Sequence, residues 1–191
     1  MSAQIVLASA SPRRQELLRQ IGVTFKVVPV DIDETPLPNE NPLAYVERIA
    51  AEKSAVAVER IDCGLPVLSA DTAVILDGRI MGKPKDKADA LAMLEHLSGR
   101  THQVLSAISL RGSAHWQAVS STEVTFRQIS EAEREAYWLS GEPADKAGAY
   151  AIQGLGSVFV ESITGSFSGV VGLPLFETAE LLAKQGITVF P

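Results

Sequence analysis

Two adjacent arginines near the start of the chain, Arg13 and Arg14, occupy positions where a helix is predicted to begin. Ser11 is a favourable N-cap residue, and Pro12 suits the first helical position because its missing N–H would be unpaired there. A helix N-terminus carries unpaired N–H groups and partial positive charge, so two cations are unfavourable there unless an anion binds between them. The pattern predicts a phosphate or carboxylate site; the alternative is a solvated basic pair on a surface helix.

Asp71 is the carboxylate with the most informative position, because it lies within the apolar stretch of residues 65–76, a predicted strand. A lone ionised carboxylate is unfavourable in apolar surroundings, so Asp71 is predicted to face a polar cleft as a metal ligand or general base. The alternative is an aspartate at a strand end that caps a turn or pairs with an arginine. Thr72 beside it could supply a hydroxyl, or act only as a strand former.

Three further segments carry polar groups that could reach the same cleft. Residues 31–34, which end in Glu34, include three carboxylates, and hard cations such as Mg²⁺ or Mn²⁺ take oxygen ligands from carboxylates and substrate phosphates. Lys53 lies at the edge of the apolar face of a predicted helix and so points toward the protein. Lys83 follows Gly82 in a loop that can approach a ligand closely. The alternatives are a solvated acidic loop, a snorkelling lysine and an idle loop lysine.

A Gly-rich segment carries the amide of Gln153, which can donate to and accept from a nucleobase edge. Gly154 and Gly156 allow close approach of the backbone. The segment is not a dinucleotide fingerprint, and the chain contains no P-loop. A surface glutamine in a flexible loop is the alternative.

If these groups converge in one cleft, together they could support a reaction that none of them could support alone. The chain has four candidate cations from three segments: Arg13, Arg14, Lys53 and Lys83. Cleavage of a polyphosphate needs cations that neutralise phosphate charge, a metal that bridges oxygens and a base that prepares water. The histidines show no metal-type spacing, and no Ser-His-Asp or Cys-His arrangement is evident.

Composition limits the class of partner. The 191 residues include 17 basic and 23 acidic side chains, and the net charge of −6 argues against a general nucleic-acid-binding surface. No stretch of about 18 apolar residues predicts a membrane span. The single cysteine, Cys63 in a predicted loop, excludes an internal disulfide and fits a reducing compartment. The first residues lack the pattern of a signal peptide, so a cytoplasmic protein is expected.

The elements that must position the candidate residues alternate between strands and helices. Strands are predicted over residues 5–7, 25–30, 65–76, 79–81, 101–110 and 115–126, and helices over 12–21, 43–60, 86–97, 130–139 and 174–185. Residues 165–167 are predicted to form a hairpin tip. This order predicts an α/β fold with an elongated, twisted mixed sheet flanked by helices. Two lobes around a central cleft are expected, within a single domain over residues 1–191.

The sequence resembles the Maf family of nucleoside triphosphate pyrophosphatases. The blocks that carry the resemblance occur in family order over most of the chain: Ser9–Arg14, Glu47–Lys53, Ser69–Thr72, Gly82–Pro84, Asp145–Gly154 and Gly169–Pro174. The resemblance implies a fold similar to that of inosine triphosphatases. It also implies hydrolysis of a nucleoside triphosphate to the monophosphate and pyrophosphate with a divalent cation, Mg²⁺ or Mn²⁺. A homodimer is a further expectation, since family members are often dimers.

The resemblance also implies roles for individual residues. Catalytic roles fall to Asp71, which matches the general base, and to Lys53, Lys83 and Glu34. Asp71 and Glu34 would hold the metal. Substrate binding falls to Ser11, Arg13, Arg14, Thr72 and Gln153.

The matched positions are similar to those of the subgroup that acts on dTTP and UTP, with modified pyrimidine nucleotides as further substrates in a housecleaning role. Two other functions remain open at this stage. One is a nucleotide-binding regulator of septum formation and cell division. The other is a phosphomonoesterase or sugar-phosphate enzyme.

Overall fold

A seven-stranded mixed sheet forms the centre of the computed structural model, which describes residues 2–61 and 64–190. The strands are β1 (Ile5–Leu7), β2 (Phe25–Val27), β3 (Val67–Leu76), β4 (Arg79–Met81), β5 (Thr101–Arg111), β6 (His115–Phe126) and β7 (Val160–Thr164). The helices are α1 (Pro12–Gln20), α2 (Pro42–Arg60), α3 (Lys87–Leu97), α4 (Glu131–Leu139), α5 (Phe167–Val171) and α6 (Leu175–Ala183). The predicted α/β class, with an elongated mixed sheet flanked by helices, is confirmed.

The strand order is β2-β1-β3-β5-β6-β7, with β4 paired to β3. β1 runs parallel to β2 and β3, whereas the other pairs are antiparallel. Across residues 2–61 and 64–190, no helix combines the length and apolar character needed to cross a membrane. Cys63, predicted to lie in a loop, falls outside the described residues.

Local sequence signals fix the ends of the helices. The side chain of Ser11 accepts a hydrogen bond from the N–H of Arg14, and α1 begins at Pro12 as predicted. Gly22 follows α1 with a φ of +73°, a left-handed conformation that glycine adopts without strain. Asn41 caps α2 in the same way, with Pro at the first helical position.

The long strand β3 connects two hydrophobic clusters. Leu68 and Ala70, in its first half, pack with residues of β1, α1 and α6. Val74 and Leu76, in its second half, pack with residues of α3 and α4. The opposite face of β3 packs against α2, where Ala73 joins a third cluster. The two end clusters correspond to the two predicted lobes, and the middle of β3 lies between them.

The middle of β3 also has an open edge. On that side β3 pairs with β1 only as far as Leu68, and pairing with β4 begins at Val74. Between these points, residues 69–73 have no strand partner on this edge in the described part of the chain. Successive side chains of a strand point to opposite faces. Asp71 therefore faces α2, and Thr72 faces the other side of the sheet.

Two predictions about local structure are wrong. β2 ends at Val27 instead of residue 30, because its partner β1 ends at Leu7; a hydrogen bond from the N–H of Val28 to the backbone oxygen of Leu7 at 3.0 Å closes the pairing. Residues 165–167 do not form a hairpin tip. Ser166 instead caps α5 by accepting a hydrogen bond from the N–H of Gly169 at 3.0 Å. The strand β7, which precedes this turn, was not predicted.

Candidate active site

A cleft of about 430 Å³ opens at the unpaired edge of β3. One side is formed by the segment that leads from β1 into α1, and the other by the loop after β4 and by residues 145–153. All nine residues predicted for the site line this cleft: Ser11, Arg13, Arg14, Glu34, Lys53, Asp71, Thr72, Lys83 and Gln153. The fold therefore brings together groups that are scattered over more than half of the sequence.

Asp71 and Lys53 form a buried ion pair at the base of the cleft. Asp71 is 6% exposed and Lys53 is 8% exposed, and the Lys53 Nζ lies 2.9 Å from the Asp71 Oδ1. Burial raises the pKa of Asp71, whereas Lys53 and Arg14 lower it and Glu34 adds to the rise. Asp71 lies in the middle of its strand, opposite Ala107. The strand-end alternative for Asp71 and the snorkelling alternative for Lys53 are therefore wrong.

Glu34 joins the same ion pair from a different segment. Its Oε1 lies 2.8 Å from the Lys53 Nζ, and its side chain is half-exposed. The hydroxyl of Tyr45 donates to the backbone oxygen of Glu34 at 3.0 Å and so holds this loop against α2. Tyr45 was not predicted as a site residue. Its spacing of two helical turns before Lys53 places both on the same helix face, which was the available signal.

The Arg14 guanidinium is fixed by three hydrogen bonds. Its Nε donates to the backbone oxygen of Gly172 at 2.8 Å, and its two terminal nitrogens donate to the hydroxyls of Ser9 at 3.2 Å and Thr72 at 3.4 Å. The Thr72 hydroxyl also bonds to that of Ser106 at 2.8 Å. Burial lowers the pKa of Arg14, and the charge of Asp71 opposes this shift. Arg14 is thus part of the cleft wall, and the solvated-pair alternative is wrong for it.

Arg13 is placed differently from its neighbour. It lines the cleft beside Ser11 at the N-terminus of α1. Within the described residues its guanidinium makes no hydrogen bond to protein. A partial positive charge, unpaired N–H groups and an uncommitted guanidinium therefore face the same space, which is suited to an anion.

The opposite side of the cleft is built from loops. Lys83 and Gln153 are both exposed there and both line the cleft. The N–H of Gly148 donates to the backbone oxygen of Gly82 at 3.0 Å, which ties the loop of Lys83 to the segment of Gln153. Gly148 has a φ of +67°, and a Cβ there would lie 3.0 Å from the side chain of Val74. Asp145 and Lys146, also at the cleft, form an ion pair with each other.

Buried aromatic side chains support this loop side from behind. Tyr150 lines the cleft, and its hydroxyl is hydrogen-bonded to His102 Nε2 at 2.8 Å. The two rings meet Phe126 in edge-to-face contacts. Burial lowers the pKa of His102 to about 4, so its imidazole is neutral near pH 7. No sequence signal had connected His102 with the site.

The acidic groups fit a hard divalent cation whose remaining ligands would come from the substrate and from water. Asp71 and Glu34 bind the same ammonium group, so their carboxylates lie close together. Residues 2–61 and 64–190 contain no group of three or more His, Cys, Asp or Glu side chains that could hold a metal ion. Mg²⁺ is often bound through one or two carboxylates together with substrate phosphates and waters. The donor set is consistent with that mode and not with a preformed protein cage.

The fold and the cleft define an α/β protein in which a buried carboxylate, several cations and a helix N-terminus line one cleft. A family model described as "Maf-like protein" matches residues 4–185. The chain therefore belongs to the Maf family.

Relatives resemble the chain over nearly its whole length. A protein of Methylococcus capsulatus named dTTP/UTP pyrophosphatase is 54% identical over 185 residues, which cover 96% of this chain and 92% of the relative. A protein of the same name from Nitrosomonas europaea is 51% identical, with 97% and 96% covered. Among solved structures, the Staphylococcus aureus Ham1 protein matches with a TM-score of 0.47 at 20% identity, over 82% of this chain and 79% of the other.

Proposed function

We propose that this protein hydrolyses nucleoside triphosphates, preferentially dTTP and UTP, to the monophosphate and pyrophosphate. The observation that carries the proposal is the buried Asp71, held beside Lys53 and Arg14 at the base of a cleft with further cations around it. A binding site alone would not need a desolvated carboxylate next to the phosphate groups. The names of relatives at 50–54% identity support dTTP and UTP as the substrates.

The triphosphate would lie along the N-terminus of α1. The hydroxyl of Ser11, the helix N–H groups and the guanidinium of Arg13 would bind its oxygens, and Arg14 would offset their charge. Lys53 and Lys83 reach the cleft from the floor and from the opposite side, where they would stabilise the negative charge of the leaving pyrophosphate.

Asp71 would act on the attacking water. The water oxygen forms a bond to the α-phosphorus, and the bond from that phosphorus to the bridging α–β oxygen breaks. The bridging oxygen keeps the electron pair and leaves with pyrophosphate, while the water proton passes to the Asp71 carboxylate. A pKa raised by burial makes this carboxylate a stronger base than an exposed aspartate.

A divalent cation, Mg²⁺ or Mn²⁺, would be held by Asp71 and Glu34. When bound, it would neutralise phosphate charge and lower the pKa of a coordinated water. The half-exposed side chain of Glu34 leaves room for a ligand on its outer side. Its ion pair with Lys53 keeps the carboxylate aimed at the cleft before substrate binds.

Substrate preference would depend on Arg13, Thr72 and Gln153. Gln153 would read the nucleobase edge from the loop side of the cleft. Both lobes contribute to the cleft, and we therefore propose that residues 1–191 act as one catalytic domain. Removal of unwanted pyrimidine nucleotides in the cytoplasm is the corresponding cellular role. The homodimer stays a prediction.

Product analysis tests the proposed reaction. Purified protein is incubated with Mg²⁺ and a panel of nucleoside triphosphates, and pyrophosphate and orthophosphate are measured separately. We expect pyrophosphate from dTTP and UTP, well above the release from ATP and GTP. Orthophosphate as the first product would indicate a phosphomonoesterase. Tight binding of dTTP without turnover would indicate a nucleotide-binding regulator, and either result would contradict the proposal.

A further inference from the structure

We propose that Glu142 and Tyr137 are positioning residues for nucleobase recognition, because together they fix both ends of the loop that carries Gln153. The inference rests on the proposed function and extends it to two residues outside the cleft. Neither residue lines the cleft, and each would therefore act only through the loop.

The carboxylate of Glu142 lies under the loop and accepts three hydrogen bonds. Its Oε1 accepts from the hydroxyl of Tyr137 at 2.6 Å and from the N–H of Gly156 at 3.0 Å, and its Oε2 accepts from the N–H of Leu155 at 3.0 Å. The Tyr137 hydroxyl, in turn, accepts from the N–H of Ala151 at 3.0 Å. The backbone is thus held two residues before Gln153 and two and three residues after it.

The contacts of Glu142 and Tyr137 with the loop also explain why positions 154 and 156 are glycines. A Cβ at position 154 would lie 2.0 Å from the Glu142 Oε2, and a Cβ at position 156 would lie 2.6 Å from the Tyr137 hydroxyl and 2.8 Å from the backbone oxygen of Ala151. The close approach predicted for Gly154 and Gly156 is therefore an approach to Glu142 and Tyr137. A larger residue at position 154 would displace either the loop or the Glu142 carboxylate, and one at position 156 would also clash with backbone.

The anchor is charged and partly buried. Burial raises the pKa of the Glu142 carboxyl, but the hydrogen bonds from Tyr137, Gly156 and Leu155 outweigh it and hold the pKa below its usual value. Tyr137 is 4% exposed and packs edge-to-face against Phe159. An ionised carboxylate accepts hydrogen bonds only, and here it meets only donors.

Gln153 depends on this anchor because its own side chain is unsupported. The residue is exposed, and within the described residues its amide makes no hydrogen bond to protein. Its direction toward a bound nucleobase is therefore set by the backbone, which is anchored on both sides. A displacement of about 1 Å is enough to lose the alignment of a directional contact. The fixed backbone is what turns an exposed glutamine into a selective group.

Substitution of the anchor should change selectivity more than turnover. Thymine and cytosine reverse donor and acceptor at position 4, but thymine also carries a 5-methyl group. The ratio of kcat/KM for dTTP over dCTP is therefore measured together with that for UTP over CTP, whose bases differ only at the hydrogen-bonding edge. Glu142→Gln places an NH₂ group against backbone donors, and Tyr137→Phe removes the hydroxyl. In each variant we expect both ratios to fall by about fivefold to tenfold, as for one lost hydrogen bond. The change should lie in KM for dTTP, with kcat within about twofold.

Glu133→Gln is the matched control. Glu133 is on α4 with Tyr137, and its carboxylate also accepts from backbone and side-chain donors, at Ser130 and Arg127. It does not line the cleft. The control should keep the wild-type ratio even if its melting temperature falls as far as that of Glu142→Gln.

A double-variant cycle separates positioning from general destabilisation. If Glu142 acts through Gln153, Glu142→Gln should not lower the ratio further in a Gln153→Ala background. Independent, multiplicative losses would overturn the proposal, as would a ratio unchanged by Glu142→Gln and Tyr137→Phe. Equal cleavage of dTTP and dCTP by the wild-type protein would also overturn it. A wild-type protein that releases no pyrophosphate from any nucleotide would contradict the proposed function itself.

Discussion

The two sides of the cleft are stabilised by different interactions. The helix wall comprises the N-terminus of α1 with Lys53 and Asp71, and there Lys53 contacts the carboxylates of Asp71 and Glu34 directly. The loop wall comprises Lys83 and residues 145–153, where Lys83 and Gln153 are exposed, Tyr150 is buried, and the backbone is anchored from behind. The contrast matches what each wall would bind, since phosphates are common to all nucleotides and the base is not.

The largest effect is expected from Asp71→Asn on the helix wall. The amide cannot accept the water proton, so pyrophosphate release from dTTP should fall by about 10²–10⁴-fold. Folding should be retained, because burial already disfavours the charged form of Asp71. The rate and the thermal unfolding curve are measured together.

The control for Asp71→Asn is Asp77→Asn, in the turn after the same strand. Asp77 pairs with Arg100 at 2.7 Å and does not line the cleft, so full activity is expected. An Asp71→Asn protein that is folded and as active as the wild type would contradict the assigned role of Asp71.

Lys53→Met tests whether the helix wall depends on its ion pair for stability. Its removal leaves Asp71 buried with one cation fewer, and we expect the free energy of unfolding to fall by about 2–3 kcal/mol. The double variant with Asp71→Asn should be more stable than Lys53→Met alone, because no stranded charge remains. Chemical denaturation measures both. A double variant that is less stable than the single one would show that packing, not charge, is the main contribution of Lys53.

A smaller effect is expected from Arg14→Lys, compared with Arg13→Lys. A lysine at position 14 cannot reach Gly172, Ser9 and Thr72 together, so the free energy of unfolding should fall by about 1–2 kcal/mol. The KM should rise alike for all nucleotides. Arg13→Lys should leave stability almost unchanged, since the Arg13 guanidinium makes no hydrogen bond within the described residues. Equal destabilisation by the two substitutions would contradict this distinction between the neighbours.

His102, which supports the loop wall from behind, should make the stability of the protein depend on pH. His102 binds its proton more weakly in the fold, with a pKa of about 4, than in the unfolded chain, where the value is 6.5. Its contribution to stability is therefore fully present above pH 6.5 and is lost as the pH falls toward 4. Between pH 6.5 and 5.5 the loss should be about 1 kcal/mol, measured by denaturant unfolding.

His102→Gln should flatten this slope, because glutamine does not titrate. His115→Gln is the comparison: the pKa of His115 is also lowered, by burial and by Arg111, but that residue is far more exposed. An unchanged slope in His102→Gln would mean that another group controls acid stability.

Much of the helix wall could be predicted from local sequence. The cap at Ser11 depends on residues within one helical turn, and the inward direction of Lys53 follows from helical periodicity. The apolar surroundings of Asp71 marked it as an unusual carboxylate. These signals are short-range, so they remain visible without the fold, and the observed elements confirm them.

The loop wall could be predicted only in part. Gln153 and its flanking glycines were recognised, but Glu142, Tyr137 and His102 were not. Their contacts are decided by packing between segments that have no common periodicity. The wrong hairpin tip at residues 165–167 has a different cause, since Gly and Ser are favoured both in turns and next to the start of a helix.

The sequence by itself determined which residues carry charge, which helix ends attract an anion and which strand holds a carboxylate. Only the tertiary structure decided that these groups meet. Among the described residues, one edge of β3 has no strand partner between β1 and β4, and at this open edge Asp71 from one face and Thr72 from the other reach the same cleft. A gap in strand pairing depends on where distant segments end, and no local pattern in β3 encodes it.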